Sequence, residues 1–286
     1  MNGSRTHVVL LGTGTPRTEV GRAGTASAVI VDGHPYVFDF GPGVGLRISE
    51  GFERGITGLA MSGVTRAFLT HHHSDHTLGL PALMLTPWMF GRDEPLEVYG
   101  PQGTAAMVRA VADAYALDVA KRSLNEPHTE RGHELAGTDV VPGVVYTDDL
   151  VEVEAFAVSH GEWDPVAHGP FPALGYRVTT PDRVVVFSGD TGPFDAMVDV
   201  YAGADVLVHE VFSTPGLASR PAQWREYHRR SHTSATHLGR VAAEVQPGML
   251  VLHHQLLWNA SEDDLVDELT AVYDGPFVYG RDLDVI

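Results

Sequence analysis

The sequence predicts an α/β fold that forms a single domain over residues 1–286. Strand and helix patterns alternate along the chain, and no linker, internal repeat or low-complexity tract interrupts them. Several apolar runs end directly at a His or an Asp, which is how α/β proteins build sites at the ends of their strands. The composition, with 43% hydrophobic residues, 31 Gly and 18 Pro, is typical of a globular protein rich in tight turns.

Apolar periodicity and turn residues predict the elements of the first half in order. The strands HVVLLG, ASAVIVD and PYVFDF form a meander, and an amphipathic stretch follows up to about Gly55. The buried strand VTRAFLT then leads into the segment HHHSDH. Helices are expected near residues 77–90 and 102–121, with the strand LEVYG between them.

The same patterns continue in the second half of the chain. They predict the strands VEVEAFAVSH, LGYRVTT, RVVVFSGD, ADVLVHE and MLVLHHQ, with helices after Pro193 and after Ser231. A last helix is expected to begin at Ser261, because SEDD offers a Ser cap followed by acidic residues in the first turn.

Three features of the composition limit the kinds of site and partner that the protein can have. The chain contains no Cys, which excludes disulfides, thiolate metal sites and a Cys nucleophile. Its formal net charge is −18 and its only Lys is Lys121, which disfavours a nucleic-acid partner without excluding one. No stretch is apolar enough for a membrane span or a secretory signal, so we expect no membrane partner and a cytoplasmic location.

The segment HHHSDH contains the pattern HxHxDH as His71, His73, Asp75 and His76. Imidazole nitrogen and carboxylate oxygen are the ligands that zinc accepts where thiolate is missing. The two alternating His residues can face one ion while Asp75 and His76 turn toward a second. The spacing therefore suits two metal ions better than one.

Later strand ends supply the further ligands that two ions need, namely His160, Asp190 and His254. Asp190, in SGDT, is the natural bridge, because one carboxylate can bind two ions and hold them about 3.5 to 4 Å apart. Water between the ions then loses a proton near neutral pH and supplies hydroxide. We predict two Zn²⁺ ions, with Mn²⁺ or Fe²⁺ as alternatives.

These motifs resemble the metallo-β-lactamase superfamily over nearly the whole chain, from LLGTGTP through HHHSDH, VSHG and SGDT to LVLHHQ. The segments LLGTGTP, GYRV, HEVF and HTS further resemble the branch that contains ribonuclease Z and the zinc arylsulfatases. The resemblance implies an αββα sandwich, with two mixed sheets flanked by helices and the metals at one edge of the sheets. It also implies a homodimer.

The resemblance implies roles for individual residues as well. It favours His254 over His253 as the last ligand, because the family carries that ligand at the second polar position of the strand. Glu210 of HEVF and His232 of HTS match the positions where the ribonuclease Z family places a Glu that orients a proton-donating His. We therefore expect Asp75, Glu210 and His232 to be catalytic.

Four side chains are candidates for the substrate pocket. Trp88, Trp163 and Trp258 follow metal motifs and can line an aromatic pocket, although core packing explains them equally well. Arg229 belongs to a run of arginines just before His232. Three interpretations of this run are open, namely a solvated face, a clamp for an anionic substrate and a dimer contact.

The leading prediction for function is zinc-dependent hydrolysis of a small phosphate or sulfate ester, of the arylsulfatase or phosphodiesterase type. The metal-bridging hydroxide is the nucleophile and His232 is the general acid. Lactone or β-lactam hydrolysis is an alternative that needs neither Glu210 nor His232. Intact ligands argue against a further alternative, a non-catalytic metal-binding scaffold.

The main rival is tRNA 3′ processing of the ribonuclease Z type. Bacterial ribonuclease Z usually carries a basic arm before the third metal His, whereas residues 118–150 of this chain hold seven acidic residues. FDFGPGVG also departs from that family's FDCGEGTQ-like segment. These departures favour a small-molecule ester over tRNA as the substrate.

Overall fold

The structure is a computed structural model that describes residues 4–161 and 172–286, and it divides into two compact units. Unit 1 comprises Met1–Val141 and Arg281–Ile286, and unit 2 comprises Pro142–Gly280. Each unit is built around one mixed sheet with helices. The single domain that the sequence suggests over residues 1–286 stays a prediction.

Unit 1 begins with the predicted meander of three antiparallel strands and continues with parallel strands. Over its described residues the elements are β1 (Thr6–Gly12), β2 (Ala26–Val31), β3 (His34–Phe38), α1 (Val44–Glu53), β4 (Arg66–Phe68), α2 (Ser74–Thr77), α3 (Leu80–Met89), β5 (Leu96–Gly100), α4 (Thr104–Ala114), α5 (Ala116–Asn125) and β6 (Leu135–Asp139). A short 3₁₀ turn at Met61–Gly63 precedes β4. The sheet order is β1-β2-β3-β4-β5-β6, antiparallel up to β3 and parallel from β3 to β6.

The core of unit 1 lies between this sheet and its helices. Strands β1 and β2 are buried along almost their whole length rather than at alternate positions. Val44 and Ile48 of α1, with Leu80 and Leu83 of α3, pack in the same cluster as the strand residues. Amphipathic spacing therefore places α1 on the sheet, as the sequence predicts.

Unit 2 repeats the change from antiparallel to parallel strands. Over its described residues the elements are β7 (Gly143–Thr147), β8 (Glu152–Ala157), β9 (Leu174–Thr179), β10 (Val184–Phe187), α6 (Met197–Tyr201), β11 (Val206–Phe212), α7 (Thr214–Ala218), α8 (Ala222–Ser231), α9 (Ala235–Val245), β12 (Met249–Leu256), α10 (Glu262–Thr270) and β13 (Phe277–Tyr279). The sheet order is β13-β12-β11-β10-β9-β8-β7. Strands β7 to β10 pair antiparallel, and β10 to β13 pair parallel.

Local sequence signals fix several boundaries. The predicted Ser cap is present, since Ser261 accepts a hydrogen bond from Asp264 N–H while the Asp264 carboxylate accepts one from Ser261 N–H. The helix expected over residues 102–121 is instead two helices, α4 and α5, which break at Tyr115. Patterning misses β6, β7, α7, α8 and β13, which are short or polar.

In the part of the chain that the structure describes, no helix is both long enough and apolar enough to span a membrane.

A buried arginine links several segments of unit 1. The Arg92 side chain is fully buried and donates hydrogen bonds to the carbonyl oxygens of Gly132, Val64, Leu83 and Met84, at 2.7 to 3.1 Å. Burial lowers the pKa of Arg92 to about 10, so the guanidinium stays charged at neutral pH. It therefore ties α3 to the approaches of β4 and β6 through charge-assisted hydrogen bonds.

We expect Arg92→Leu to lower the free energy of unfolding by about 3 to 5 kcal/mol, because it leaves several buried carbonyl oxygens without a donor. Chemical denaturation monitored by circular dichroism measures the change. Arg109→Leu, at an exposed position of α4, is the matched control and is expected to change stability by less than about 0.5 kcal/mol. Equal stability of the two variants would contradict the assigned role of Arg92.

Candidate metal centre

Unit 1 brings together the four ligands predicted from HHHSDH just after β4. His71 Nε2 lies 3.0 Å from His73 Nδ1, and His76 Nε2 lies 3.6 Å from Asp75 Oδ2. The short helix α2 carries Asp75 and His76, and His73 is its N-cap residue. His71, Asp75 and His76 are buried.

Asp39, at the carboxyl end of β3, positions two of these histidines. Its carboxylate accepts hydrogen bonds from Thr70 N–H (2.8 Å), from Thr70 Oγ1 (2.9 Å) and from His76 Nδ1 (2.8 Å). Because the Thr70 hydroxyl donates to Asp39, it accepts from His71 Nδ1, 3.0 Å away. The neutral tautomer of each ring that satisfies these contacts carries its proton on Nδ1 and directs Nε2 toward a metal.

Asp39 is buried and lies at φ 57°, in the left-handed region that few side chains other than Asn and Asp adopt. Sequence reasoning missed it. The rule that singled out His71 could have found it, because Asp39 lies one residue from the end of the predicted strand PYVFDF. Strands β3 and β4 are parallel neighbours, so their carboxyl ends are adjacent.

Unit 2 brings together the three ligands predicted from its own strand ends. Asp190 Oδ2 lies 3.4 Å from His254 Nε2 and 4.0 Å from His160 Nε2. His160 Nδ1 donates to the carbonyl oxygen of Ser231 at 2.8 Å, which again leaves Nε2 as the atom directed at Asp190. All three side chains are buried.

His254 occupies a bulge in β12. Strand β11 pairs Glu210 with His253 and the next residue, Val211, with Gln255, so His254 is the extra residue. Its φ of 43° is left-handed, a strained conformation for His that re-aims the side chain. This geometry favours His254 over its neighbour His253 as the residue built for a site.

The predicted catalytic pair of unit 2 lies next to Asp190. His232 Nδ1 is 3.3 Å from Glu210 Oε2 and 3.9 Å from Asp190 Oδ2. Glu210 also accepts a hydrogen bond from Thr233 N–H at 2.7 Å, and its own N–H donates to Ser188 Oγ at 3.2 Å. The Thr233 N–H thus holds the Glu210 carboxylate while it faces the His232 ring, and the bond to Ser188 holds the Glu210 backbone.

Burial sets the protonation of His232. It lowers the pKa of His232 well below the usual value, while the Asp190 carboxylate opposes that shift by favouring the charged ring. The neighbouring His160, His254 and His228 lower the pKa further. The Asp190 carboxylate is therefore the group that favours a proton on this ring.

The His, Asp and Glu donors of each unit fit a divalent metal. In unit 2, ligand atoms of His160, Asp190 and His232 lie within 4.8 Å of one another, as do those of Glu210, His232 and His254. In unit 1 the 3.0 Å between the His71 and His73 nitrogens is close to the roughly 3.3 Å expected of two imidazoles on one tetrahedral zinc ion. Buried His and Asp donors without thiolate are the chemistry that zinc accepts in both units.

His209 illustrates an ordinary buried histidine beside this site. Its Nδ1 donates to the carbonyl oxygen of Glu210 at 2.6 Å, and its Nε2 accepts from the Tyr201 hydroxyl at 3.2 Å. Burial lowers the pKa of His209 to about 4, so the ring is neutral at pH 7. These hydrogen bonds and its burial account for His209 as a packing residue.

The predicted substrate residues fall in different surroundings. Trp88 is 1% exposed and donates from Nε1 to the carbonyl oxygen of Thr129, so packing accounts for its position in unit 1. Trp258 lies in unit 2 with its ring 4.8 Å from that of His228. Arg229 is exposed on α8. Trp163 lies outside the described residues.

Comparison with known proteins gives a consistent result. The model of the Beta-lactamase superfamily domain matches residues 37–255. A ribonuclease Z from Mycobacterium sp. (strain KMS) is 34% identical over 251 residues, covering 87% of this chain and 84% of that protein. These relatives support the ribonuclease Z alternative better than the small-ester function that the sequence favoured.

Two solved structures match the fold. The metallo-β-lactamase fold protein YhfI from Bacillus subtilis has a TM-score of 0.74 at 18% identity, covering 99% of this chain and 100% of that one. The short form of human tRNase Z has a TM-score of 0.69 at 21% identity, covering 98% of each chain. The predicted fold class, two mixed sheets flanked by helices in the metallo-β-lactamase fold, is confirmed.

We expect Asp39→Asn to weaken metal affinity by about 10- to 100-fold, because the substitution removes the carboxylate that orients His76 and, through Thr70, His71. Equilibrium competition with a chelator measures the affinity. Asp32→Asn is the matched control, since Asp32 also has a positive φ of 48° but is exposed and pairs with Arg5. If both variants bind metal like the wild type, Asp39 does not position the ligands.

His209 also predicts a pH dependence of stability. The pKa of His209 is about 4 in the folded chain, below its usual value of 6.5. Between about pH 6.5 and pH 4, His209 is therefore protonated in the unfolded chain but neutral in the folded chain. This contribution to stability is complete above pH 6.5 and is lost at about 1.4 kcal/mol per pH unit as the pH falls toward 4. Urea unfolding at several pH values should give a shallower acid slope for His209→Gln, and an unchanged slope would refute the assignment.

Proposed function

The chain belongs to the metallo-β-lactamase superfamily, in its ribonuclease Z-like branch, and on this premise we propose that it is a ribonuclease Z-type endonuclease that processes tRNA 3′ ends. It is a metal-dependent hydrolase acting on ester bonds. The curated relatives carry the name ribonuclease Z at up to 34% identity over most of their length. That likeness supports a phosphodiester in RNA as the substrate.

We assign the metal pair to the seven residues that the sequence singled out: His71, His73, Asp75, His76, His160, Asp190 and His254. The buried donors of each unit fit this assignment. When bound, divalent ions supply a water-derived nucleophile at neutral pH and offset negative charge on the phosphoryl oxygens. Zinc as the native ion, the homodimer and the cytoplasmic location remain predictions from the sequence.

His232 and Glu210 carry the proposal. Breaking a phosphodiester leaves charge on an alkoxide oxygen, which a positioned acid can neutralise. Glu210 Oε2, 3.3 Å from His232 Nδ1, orients the ring, and the Asp190 carboxylate favours the protonated form in which the opposite nitrogen, Nε2, donates. Neither lactone or β-lactam hydrolysis nor a non-catalytic binding scaffold gives a role to His232 and Glu210.

A small phosphate or sulfate ester is the second candidate. The observation in its favour is the surface of residues 118–150, which carries seven acidic residues, most of them exposed. Such a surface repels the tRNA body. A small ester would need only the metal pair and His232. A tRNA would also need a surface away from the metal pair that binds the rest of the molecule.

Turnover of a pre-tRNA, bis(4-nitrophenyl) phosphate and 4-nitrophenyl sulfate by the zinc-loaded protein decides between them. We expect site-specific cleavage of the pre-tRNA at its 3′ side, slower cleavage of the phosphodiester and no turnover of the sulfate. Efficient sulfate or small-ester turnover without cleavage of the pre-tRNA would instead establish the second candidate.

We expect His232→Ala to lower kcat for pre-tRNA by about 10²- to 10⁴-fold, because the ribose oxygen leaves poorly without a proton. For bis(4-nitrophenyl) phosphate the loss should be below about tenfold, since 4-nitrophenolate leaves readily as an anion. His237→Ala, on α9 five residues later, is the matched control. Equal losses for both substrates would show that His232 acts as a ligand or packing residue and not as the acid.

A further inference from the structure

Helix α8 differs in charge from the rest of the chain. Residues 220–230, RPAQWREYHRR, contain four of the 19 basic residues and one acidic residue, Glu226, in a protein of net charge −18. Arg230 pairs with Glu226 at 2.8 Å. Arg229 is exposed and has no ion pair within residues 4–161 and 172–286. We call residues 220–230 the basic run.

The same helix carries a continuous series of rings that ends at His232. Trp224, Tyr227 and His228 are spaced i, i+3 and i+4 and so share one face of α8, which we call the aromatic face. The Trp224 ring lies 5.9 Å from His228 with 26° between the planes, and His228 lies 5.4 Å from His232. The Tyr227 ring is 6.5 Å from His232. The face therefore connects the surface to the proposed acid.

The outer end of this face is open to solvent. Trp224 is 43% exposed and Tyr227 is 41% exposed, so both side chains are accessible to a ligand. The Arg220 guanidinium lies 5.9 Å from the Trp224 ring centroid, in range of a cation–π contact. At the inner end, the buried His228 packs against Trp258 and has an Nδ1 with no hydrogen-bond partner among the described residues.

We propose that the aromatic face and the basic run bind unpaired nucleotides of an RNA substrate and lead the strand toward His232. Bases stack on the exposed rings of Trp224 and Tyr227, while Arg229 and the neighbouring arginines contact phosphates. This inference rests on the proposed function for the choice of RNA. Aromatic rings interleaved with arginines are how proteins bind single strands without reading their sequence.

Charge complementarity selects this occupant. A polyanion gains from the only strongly basic run on an acidic chain, whereas a neutral apolar partner gains nothing from four arginines. Duplex RNA would not use the rings, because its bases are already stacked. An unpaired strand has bases that are free to stack on the face.

Binding of a fluorescein-labelled single-stranded RNA heptamer, measured by anisotropy in EDTA to prevent cleavage, tests the proposal directly. We expect Trp224→Ala to raise the Kd about tenfold and Trp224→Phe to stay within about threefold of the wild type, because a phenyl ring still stacks. Arg229→Ala should lower the salt dependence of log Kd by about 0.7 of a unit slope. Arg240→Ala, at an exposed position of α9, is the matched control and should leave the slope unchanged.

Kinetics separate the failure of this proposal from the failure of the proposed function. For Trp224→Ala we expect KM for pre-tRNA to rise about tenfold with kcat within about twofold, and turnover of bis(4-nitrophenyl) phosphate to be unchanged. If Trp224→Ala does not change the cleavage of pre-tRNA, the proposed endonuclease function stands and the proposed role of the aromatic face is overturned. If heptamer binding depends on Trp224 but the protein cleaves only the small ester, the proposed role of the aromatic face is supported and the proposed endonuclease function is overturned.

A second copy of the chain is the remaining occupant to be tested. Sedimentation of the wild type and Trp224→Ala over a range of protein concentrations reports it. Loss of a dimer in the variant, with unchanged heptamer binding, would assign the aromatic face to a contact between copies and overturn the proposal. An unchanged oligomeric state is expected.

Discussion

The orientation of the candidate site depends on the hydrogen bonds that imidazole Nδ1 atoms donate to buried acceptors. His76 donates to Asp39, His71 to Thr70 and His160 to the carbonyl oxygen of Ser231. Each bond selects one tautomer and leaves the lone pair of Nε2 to bind metal. Without these acceptors the rings could rotate and present either nitrogen, and a set of ligands on short loops would not be preorganised.

Strand register provides the frame in which these bonds form. In unit 1 the parallel pairing of β3 and β4 places Asp39 beside the segment that follows β4. In unit 2 the parallel pairing of β10, β11 and β12 brings Asp190, Glu210 and His254 to corresponding ends of neighbouring strands. The bulge at His254 adds one residue and turns that side chain by a left-handed φ of 43°. One of the strained backbone positions is therefore a residue whose side chain lies 3.4 Å from Asp190.

The sequence is informative where local patterns decide the structure and weak where tertiary contacts do. The apolar runs predict the meander of β1 to β3 and the strands that precede His71, Asp190 and His254. Ser261 predicts its own helix boundary, because a cap is a contact between residues close in sequence. Helix α8 is polar overall, and its one-sided pattern consists of aromatic and His side chains rather than aliphatic ones. The role of Asp39 depends on a contact with a residue 37 positions away.

The RNA substrate that we propose is compatible with the net charge of this chain for a related physical reason. A value of −18 sums over the whole surface, whereas salt screens exposed charges beyond about 8 to 10 Å. An RNA strand at the active site therefore responds mainly to the charges within a few residues of its path. The acidic surface of residues 118–150 opposes long-range approach, but the contact itself is decided by the local excess of arginine on α8 and by the rings beside it. An acidic protein can thus bind RNA through one short basic segment, provided that this segment lies next to the catalytic groups.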